Sequence, residues 1–186
     1  MSSATFIVTP AQEQNIENSK TSEHRINPAS FLDIVAPDLI SIEARMNDDL
    51  GSDVRTVYSL TNHILNAGGK RLRPAMVALS ARAVSPNIDL YRLASIGAAV
   101  EFVHMATLVH DDVVDNTATR RGLPTANAVY GNGVAVLSGD YMLARAMRLL
   151  AMDGDLKIIR TVSEITSDGR RTDLSQVPQL FDCWAG

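Results

Sequence analysis

The chain has 186 residues, of which 46% are apolar and 20% charged, and its net charge is −4. This length predicts one domain with a sizeable core. The acidic balance, together with an aromatic content of only 5%, argues against a nucleic-acid surface. The single cysteine, Cys183, excludes an internal disulfide and fits a reducing cytoplasm. We expect no membrane span, because no run of about 18 apolar residues lacks a charge.

The first part of the chain divides into a polar stretch and two helical patterns. Residues 1–27 lack periodicity and predict a flexible tail. From Phe31 onward, apolar residues recur at three- and four-residue spacing, which predicts a helix that Pro37 kinks or divides. Asp53 is then predicted to cap a second helix, which ends at Gly68-Gly69.

A basic string, Lys70-Arg71-Leu72-Arg73, separates the second helix from a third that is predicted to begin at Pro74. The cations therefore lie on a loop and at a helix N-terminus, where exposed N–H groups and the helix dipole add positive potential. An anion site is one interpretation of this string. An ordinary solvated basic loop is the other.

The longest helical pattern runs from about Ile88 to Asn116, with Asp89 as its predicted N-cap. Pro124 is predicted to open a short helix that Gly131 ends, and two further helices follow over about residues 134–153 and 156–165. No segment alternates in the way a half-buried strand would. The sequence therefore predicts an all-α fold with the long helix buried among its neighbours.

The long helix ends in an acidic motif. Asp111 and Asp115 are four residues apart, so on a helix their carboxylates share one face. Neighbouring carboxylates repel unless cations lie between them, and Mg²⁺ prefers such oxygens and completes its shell with water and phosphates. Arg120 and Arg121, just downstream, supply forked donors for phosphate oxygens. The pattern indicates a metal–diphosphate site, with a solvated helix end as the alternative.

Four motifs occur in order along the chain. They are GGKRLRP (Gly68–Pro74), EFVHMATLVHDDVVD (Glu101–Asp115), RRGLPTANAVYGN (Arg120–Asn132) and SGDYMLARA (Ser138–Ala146). Through them, residues 28–166 resemble the N-terminal half of a trans-type polyprenyl diphosphate synthase. The resemblance implies a truncated form of the isoprenoid-synthase-type antiparallel helical bundle, built around a deep cavity. It also implies pairing as a homodimer or a heterodimer.

The same resemblance implies a Mg²⁺-dependent, head-to-tail condensation of isopentenyl diphosphate with an allylic diphosphate. It implies three catalytic acids, of which Asp111 and Asp115 ligate the metal and Asp112 supports them. The implied diphosphate ligands are Arg120 for the allylic substrate and Lys70, Arg73, His104 and Arg121 for isopentenyl diphosphate.

Product length is indicated by the residues upstream of the acidic motif. In the family, a bulky aromatic residue at this place acts as a floor that stops chain growth early. Here the corresponding positions are Val103, Ala106 and Thr107, none of which is aromatic, and the motif has the short DDxxD spacing. We therefore expect products longer than the farnesyl length.

The chain departs from the family at its C-terminal end. Members carry a second aspartate-rich motif facing the first, and this chain ends before it, so we expect a truncated copy that is not a competent synthase. One codon choice for Ser167 to Arg171, shifted by one base, encodes the family's continuation Val-Met-Ala-Glu. This predicts that residues 167–186 are an atypical tail read out of frame, with a chance match as the alternative.

Two other functions compete with a prenyl-elongating enzyme. One is a non-catalytic subunit that pairs with a complete paralogue, although the retained acids and arginines favour descent from an active enzyme. The other is a terpene cyclase sharing the metal motif. GGKRLRP argues against a cyclase, because it suits isopentenyl diphosphate, which cyclases do not use.

Overall fold

The computed structural model describes residues 32–50, 59–60, 63–65, 69–85 and 87–167. The chain divides into two compact units, residues 1–33 and 34–186, and the four sequence motifs all belong to the second. The predicted tail over residues 1–27, the helix cap at Asp53 and the stretch beyond Ser167 lie outside the described residues.

The described elements confirm the predicted all-α class, and one short two-stranded hairpin is added to the helices. Helical residues also occur at 59–60 and 63–65. The helices and strands are α1 (Ala36–Asp49), α2 (Leu72–Val84), α3 (Leu90–Val114), β1 (Thr119–Arg120), β2 (Leu123–Pro124), α4 (Ala126–Tyr130), α5 (Asn132–Asp153) and α6 (Leu156–Ser167).

The helix starts follow from local chemistry. Helix α1 carries Pro37 in its first turn, where a missing N–H costs nothing, in agreement with the predicted division of the pattern. The Asp89 carboxylate caps α3 by accepting hydrogen bonds from the backbone N–H groups of Tyr91 and Arg92, at 2.9 and 3.1 Å. This cap was predicted, because aspartate before a long apolar run is a strong helix-start signal.

Two predicted helix starts are wrong. Helix α2 begins at Leu72 rather than Pro74, because the third helical position still has no intrahelical partner for its N–H and so accepts a proline. Pro124 does not open a helix; it pairs with Thr119 in a hairpin, and α4 begins two residues later, with Thr125 at its N-cap. The prediction that no strand occurs is corrected by this hairpin.

Helix α3 is the core of the described unit. Phe102 and Ile96 are almost completely buried, as are most other residues along its length. Helix α3 packs most extensively against α5, and also against α1 and α2. A helix that is apolar on all sides is stable only when it is surrounded in this way.

Side-chain contacts at its two ends show how α3 lies against α5. Arg92, in the first turn of α3, pairs with Asp153 at the end of α5 at 2.7 Å. The Nε2 atom of His110, near the end of α3, lies 3.3 Å from the carboxylate of Asp140, in the first half of α5. The two helices are therefore antiparallel, as the predicted bundle requires.

Within the described part of the chain, α3 is long and apolar enough to cross a bilayer by length and composition alone. Of its most apolar 18-residue window, 72% is buried inside the fold. Buried core helices commonly meet the same criterion, so α3 is weak evidence for a membrane span.

Candidate active site

The acidic motif of α3 borders a small open cleft of about 220 Å³, here named the acidic cleft. Asp111 and Asp115 both line it, which confirms that the four-residue spacing puts them on one face. Arg120 of the hairpin also borders it. The lining residues are Arg73, His104, Thr107, Leu108, Asp111, Asp115 and Arg120.

Asp112, between the two cleft carboxylates, has a different environment. It is buried, and its carboxylate accepts three hydrogen bonds from Arg120: from Nη2 at 2.8 Å and from Nε at 3.0 and 3.2 Å. These hydrogen bonds raise the pKa of Arg120. Asp112 therefore supports the site by fixing an arginine, and it does not line the acidic cleft.

The basic string borders a second cleft of about 470 Å³, here named the basic cleft. Burial lowers the pKa of Arg73, and the negative charge of Glu101 opposes that shift. The basic and acidic clefts share Arg73 and His104, so they lie side by side with a common wall. The residues lining the basic cleft are Gly69, Lys70, Arg71, Leu72, Arg73, Glu101, His104 and Arg121.

His104 forms the part of this wall that α3 contributes. Burial lowers its pKa to about 4, and the positive charges of Arg73, Arg121 and Arg120 act in the same direction. The imidazole is therefore neutral at physiological pH. Its Nδ1 atom is buried and has no hydrogen-bond partner among the described residues. A buried nitrogen without a partner is costly.

The hairpin places the two adjacent arginines in different clefts. Its two-residue loop, Arg121-Gly122, has φ of 53° and 81°, the positive values that a type I′ turn requires at both positions. Arg120 lines the acidic cleft and Arg121 lines the basic one. Gly69 lies so close to Arg121 that an added Cβ would stand 3.1 Å from its Nη1 atom.

The hairpin is anchored to the end of α3 by side-chain hydrogen bonds. Asn127 donates from its amide to the carbonyl oxygens of Asp112 and Thr117, at 3.2 and 3.0 Å. Thr125 donates from its hydroxyl to the same Thr117 oxygen at 2.7 Å. These contacts fix the position of both arginines relative to the acidic motif.

Comparison with known proteins identifies the family. Residues 54–183 match the family model described as polyprenyl synthetase. The chain belongs to the polyprenyl synthetase family. The predicted family and the predicted isoprenoid-synthase fold are thereby confirmed.

Relatives of this polyprenyl synthetase include enzymes named for long products. The chain is 41% identical to the octaprenyl diphosphate synthase of Escherichia coli (strain K12), over 84% of this chain and 48% of that protein. It is 32% identical to the chloroplastic solanesyl-diphosphate synthase 2 of Oryza sativa subsp. japonica, over 96% of this chain and 48% of that protein. The chain thus spans about half the length of the curated relatives it matches.

Solved structures of polyprenyl synthetases share the fold. A decaprenyl diphosphate synthase from Rhodobacter capsulatus superimposes with a TM-score of 0.72 at 30% identity, over 84% of this chain and 55% of that chain. A polyprenyl synthase from Caulobacter crescentus CB15, complexed with calcium and isoprenyl diphosphate, superimposes with a TM-score of 0.71 at 30% identity, over 83% and 53%.

The donor set of the acidic cleft fits a hard divalent cation. Asp111 and Asp115 offer carboxylate oxygens on one face, while Asp112 is occupied by Arg120. Among the described residues, no cluster of three or more acids, histidines or cysteines could hold a metal alone. A cation that takes one or two protein carboxylates and completes its shell with water and phosphates fits such a site, as Mg²⁺ does.

The contributions of Arg71 and Glu101 were not predicted from the sequence of this polyprenyl synthetase. Both line the basic cleft, and their side chains are joined by an ion pair of 3.3 Å. Arg71 was grouped with the other cations of its string, because a single sequence does not reveal which of several arginines faces the protein. The buried position of Glu101 within a long apolar helix was the available signal.

Proposed function

We propose that the chain supplies the diphosphate-binding half of an enzyme for the head-to-tail condensation of isopentenyl diphosphate with an allylic diphosphate, with Mg²⁺ as the metal and a long prenyl chain as the product of the complete protein. The observation that carries this proposal is the common wall, formed by Arg73 and His104, between the basic and acidic clefts. Two diphosphates held on its two sides would bring their hydrocarbon groups close together, as a condensation requires.

On the acidic side, Asp111 and Asp115 are the proposed Mg²⁺ ligands and Arg120 is the proposed donor to the allylic diphosphate. The metal, when bound, would neutralise charge on the departing diphosphate. Arg120 supports the same charge with a guanidinium that Asp112 already holds in place. A donor fixed before the reaction stabilises developing charge without the cost of reorganisation.

On the basic side, Lys70, Arg73, Arg121 and His104 are the proposed ligands of isopentenyl diphosphate. The three cations supply charge, while the neutral imidazole has one N–H group with which it can donate a hydrogen bond. This arrangement binds the diphosphate without a metal. Isopentenyl diphosphate binding is therefore expected to be independent of Mg²⁺.

The proposed long product has two supports. Two relatives are named for octaprenyl and solanesyl chains. In this chain Thr107 lines the acidic cleft one turn below Asp111, so the wall at that point is small and carries no aromatic ring. Val103 and Ala106 are buried in the fold. Dimer formation and a cytoplasmic location stay predictions of the sequence.

Isothermal titration tests the proposed function. The chain is titrated with geranylgeranyl diphosphate and with isopentenyl diphosphate, each with Mg²⁺ and with EDTA. We expect Mg²⁺-dependent binding of the allylic ligand, lost in Asp111→Asn and Asp115→Asn, and Mg²⁺-independent binding of isopentenyl diphosphate that both variants retain. Allylic binding that persists in both variants, or in EDTA, would contradict the assignment.

A further inference from the structure

The guanidinium of Arg71 is held by three separate parts of the chain. Its Nε donates to the Glu43 carboxylate of α1 at 3.2 Å, its Nη1 donates to Glu101 of α3 at 3.3 Å, and its Nη2 donates to the carbonyl oxygen of Leu65 at 3.3 Å. The side chain is only 16% exposed. The guanidinium of Arg71 therefore donates its hydrogen bonds to protein oxygens, although its neighbours in the basic string are proposed phosphate ligands.

The backbone of Arg71 is also held in an unusual conformation. Its φ is 46°, in the left-handed region that non-glycine residues adopt only when their surroundings fix them there. This residue is the N-cap of α2, and its carbonyl oxygen accepts the hydrogen bond from the backbone N–H of Ala75 at 3.0 Å. The left-handed turn thus sets the direction in which the chain passes from Lys70 to Arg73.

Glu101 is out of place in a cleft for anions. Of the described residues that line the basic cleft, it is the one acid, and its side chain is 6% exposed. Burial raises its pKa, and the positive charges of Arg71, Arg73 and Arg121 oppose that shift. A carboxylate at this place would repel a diphosphate unless its charge were balanced by a cation of the protein. Arg71 supplies that cation, and Glu101 accepts a hydrogen bond from it.

We propose that Arg71 and Glu101 are positioning residues of the basic cleft, which hold the turn at residues 69–73 so that Lys70 and Arg73 meet the diphosphate in a fixed arrangement. The inference rests on the proposed function, because the ligand is taken to be isopentenyl diphosphate. Neither side chain contacts the ligand. Their contribution is the geometry of the residues on either side of Arg71, which a displacement of about 1 Å would degrade severely.

Three variants separate geometry from charge. Arg71→Asn removes the guanidinium but keeps a residue that tolerates the left-handed backbone. Arg71→Lys keeps the charge and removes the fork. Glu101→Gln removes the charge of the partner at constant size. Glu43→Gln is the matched control, because Glu43 contacts the same guanidinium but is 51% exposed.

Two readouts are measured on the full chain and each variant. Hydrogen–deuterium exchange follows the amides of residues 69–73. Titration calorimetry gives the Kd for isopentenyl diphosphate and, separately, for geranylgeranyl diphosphate with Mg²⁺. We expect faster exchange and a Kd for isopentenyl diphosphate raised roughly tenfold or more in Arg71→Asn, Arg71→Lys and Glu101→Gln. Allylic binding and the Glu43→Gln control are expected to stay within about twofold.

The outcomes distinguish this inference from the proposed function. Full binding in Arg71→Lys would mean that Arg71 contributes charge alone, and unchanged exchange in Arg71→Asn would mean that it does not hold the turn; either result overturns the inference. An equal loss of both ligands would indicate a general structural defect and also overturns it. If the unmodified chain fails to bind isopentenyl diphosphate, the proposed function fails, and the exchange measurement alone still decides whether Arg71 holds the turn.

Discussion

Arg120 meets the buried carboxylate of Asp112 with two of its nitrogens, Nη2 at 2.8 Å and Nε at 3.0 Å. The arginine side chain is 41% exposed, whereas the aspartate side chain is 9% exposed. The pair thus joins the interior of α3 to the rim of the acidic cleft. Its exposed part can meet a ligand, while its buried part fixes the angle of approach.

We expect Asp112→Asn to destabilise the fold by about 1–2 kcal/mol. The amide has one acceptor oxygen where the carboxylate has two, so part of the hydrogen bonding from Arg120 to this buried position would be lost. Chemical denaturation measures the change. Asp115→Asn is the control, since Asp115 is exposed and should alter stability by less than about 0.5 kcal/mol. Equal destabilisation by the two substitutions would show that the Asp112–Arg120 pair has no special structural role.

The low pKa of His104 predicts that the stability of the fold depends on pH. Its pKa in the folded chain is about 4, below the ordinary value of 6.5, so the unfolded chain binds the proton first as the pH falls. The stability that the folded chain gains from holding His104 neutral is therefore complete above pH 6.5 and is lost as the pH falls towards 4. Urea denaturation across this range should show the loss, and His104→Gln, which cannot titrate, should reduce it.

The same titration is sensitive to ligand. An NMR titration of the imidazole should give a midpoint of about 4 for the free chain. Inorganic pyrophosphate in the basic cleft should raise that midpoint, because nearby negative charge favours the protonated ring. A free midpoint near the ordinary value of 6.5, or one that pyrophosphate leaves unchanged, would contradict the surroundings described for His104.

Thr107→Phe should shorten the space available to an allylic chain, because Thr107 lines the acidic cleft one turn below Asp111. We expect the affinity for geranylgeranyl diphosphate to fall more than the affinity for dimethylallyl diphosphate, and any product to become shorter by mass spectrometry. Thr107→Val, of nearly equal size, is the control. Identical chain-length preference in Thr107→Phe and the parent would remove Thr107 as a wall of the chain-binding space.

The contact between α3 and α5 predicts a contrast between two glycines. A Cβ at Gly139 would overlap the ring of His110, so Gly139→Ala should destabilise the fold by about 1–3 kcal/mol. Nothing lies within 4 Å of a Cβ added at Gly133, in the same helix. Gly133→Ala should therefore stabilise the fold by about 0.4–1 kcal/mol. Thermal denaturation tests both, and a neutral Gly139→Ala would mean that the His110 ring moves aside at little cost.

Sequence patterns predicted the features that depend on local chemistry and long periods. The Asp89 cap, the buried length of α3 and the shared face of Asp111 and Asp115 are of this kind, since each follows from spacing along one helix. The resemblance also pointed to the residues that line the two clefts. Because the four motifs occur in the order typical of the family, the resemblance implied that these residues lie close together.

The rest depended on contacts that a single sequence does not encode. Strands of two residues, such as Thr119–Arg120, are too short to show an alternating pattern. The start of α2 at Leu72 depends on the left-handed backbone of Arg71, which contacts from two other helices maintain. The distinct surroundings of Asp112 likewise arise from the hairpin, which folds back onto α3 only in three dimensions.

The two-residue loop of the hairpin sends neighbouring arginines, Arg120 and Arg121, into different clefts. The hairpin therefore sets the distance between the two arginines, and with it the distance between the two proposed diphosphate ligands. Lengthening the loop by a single residue would change the distance between the two guanidinium groups, and a substitution in one cleft alone would not restore that distance. We therefore expect ligand binding by this chain to tolerate substitutions in the cleft walls far better than an insertion between Arg120 and Leu123.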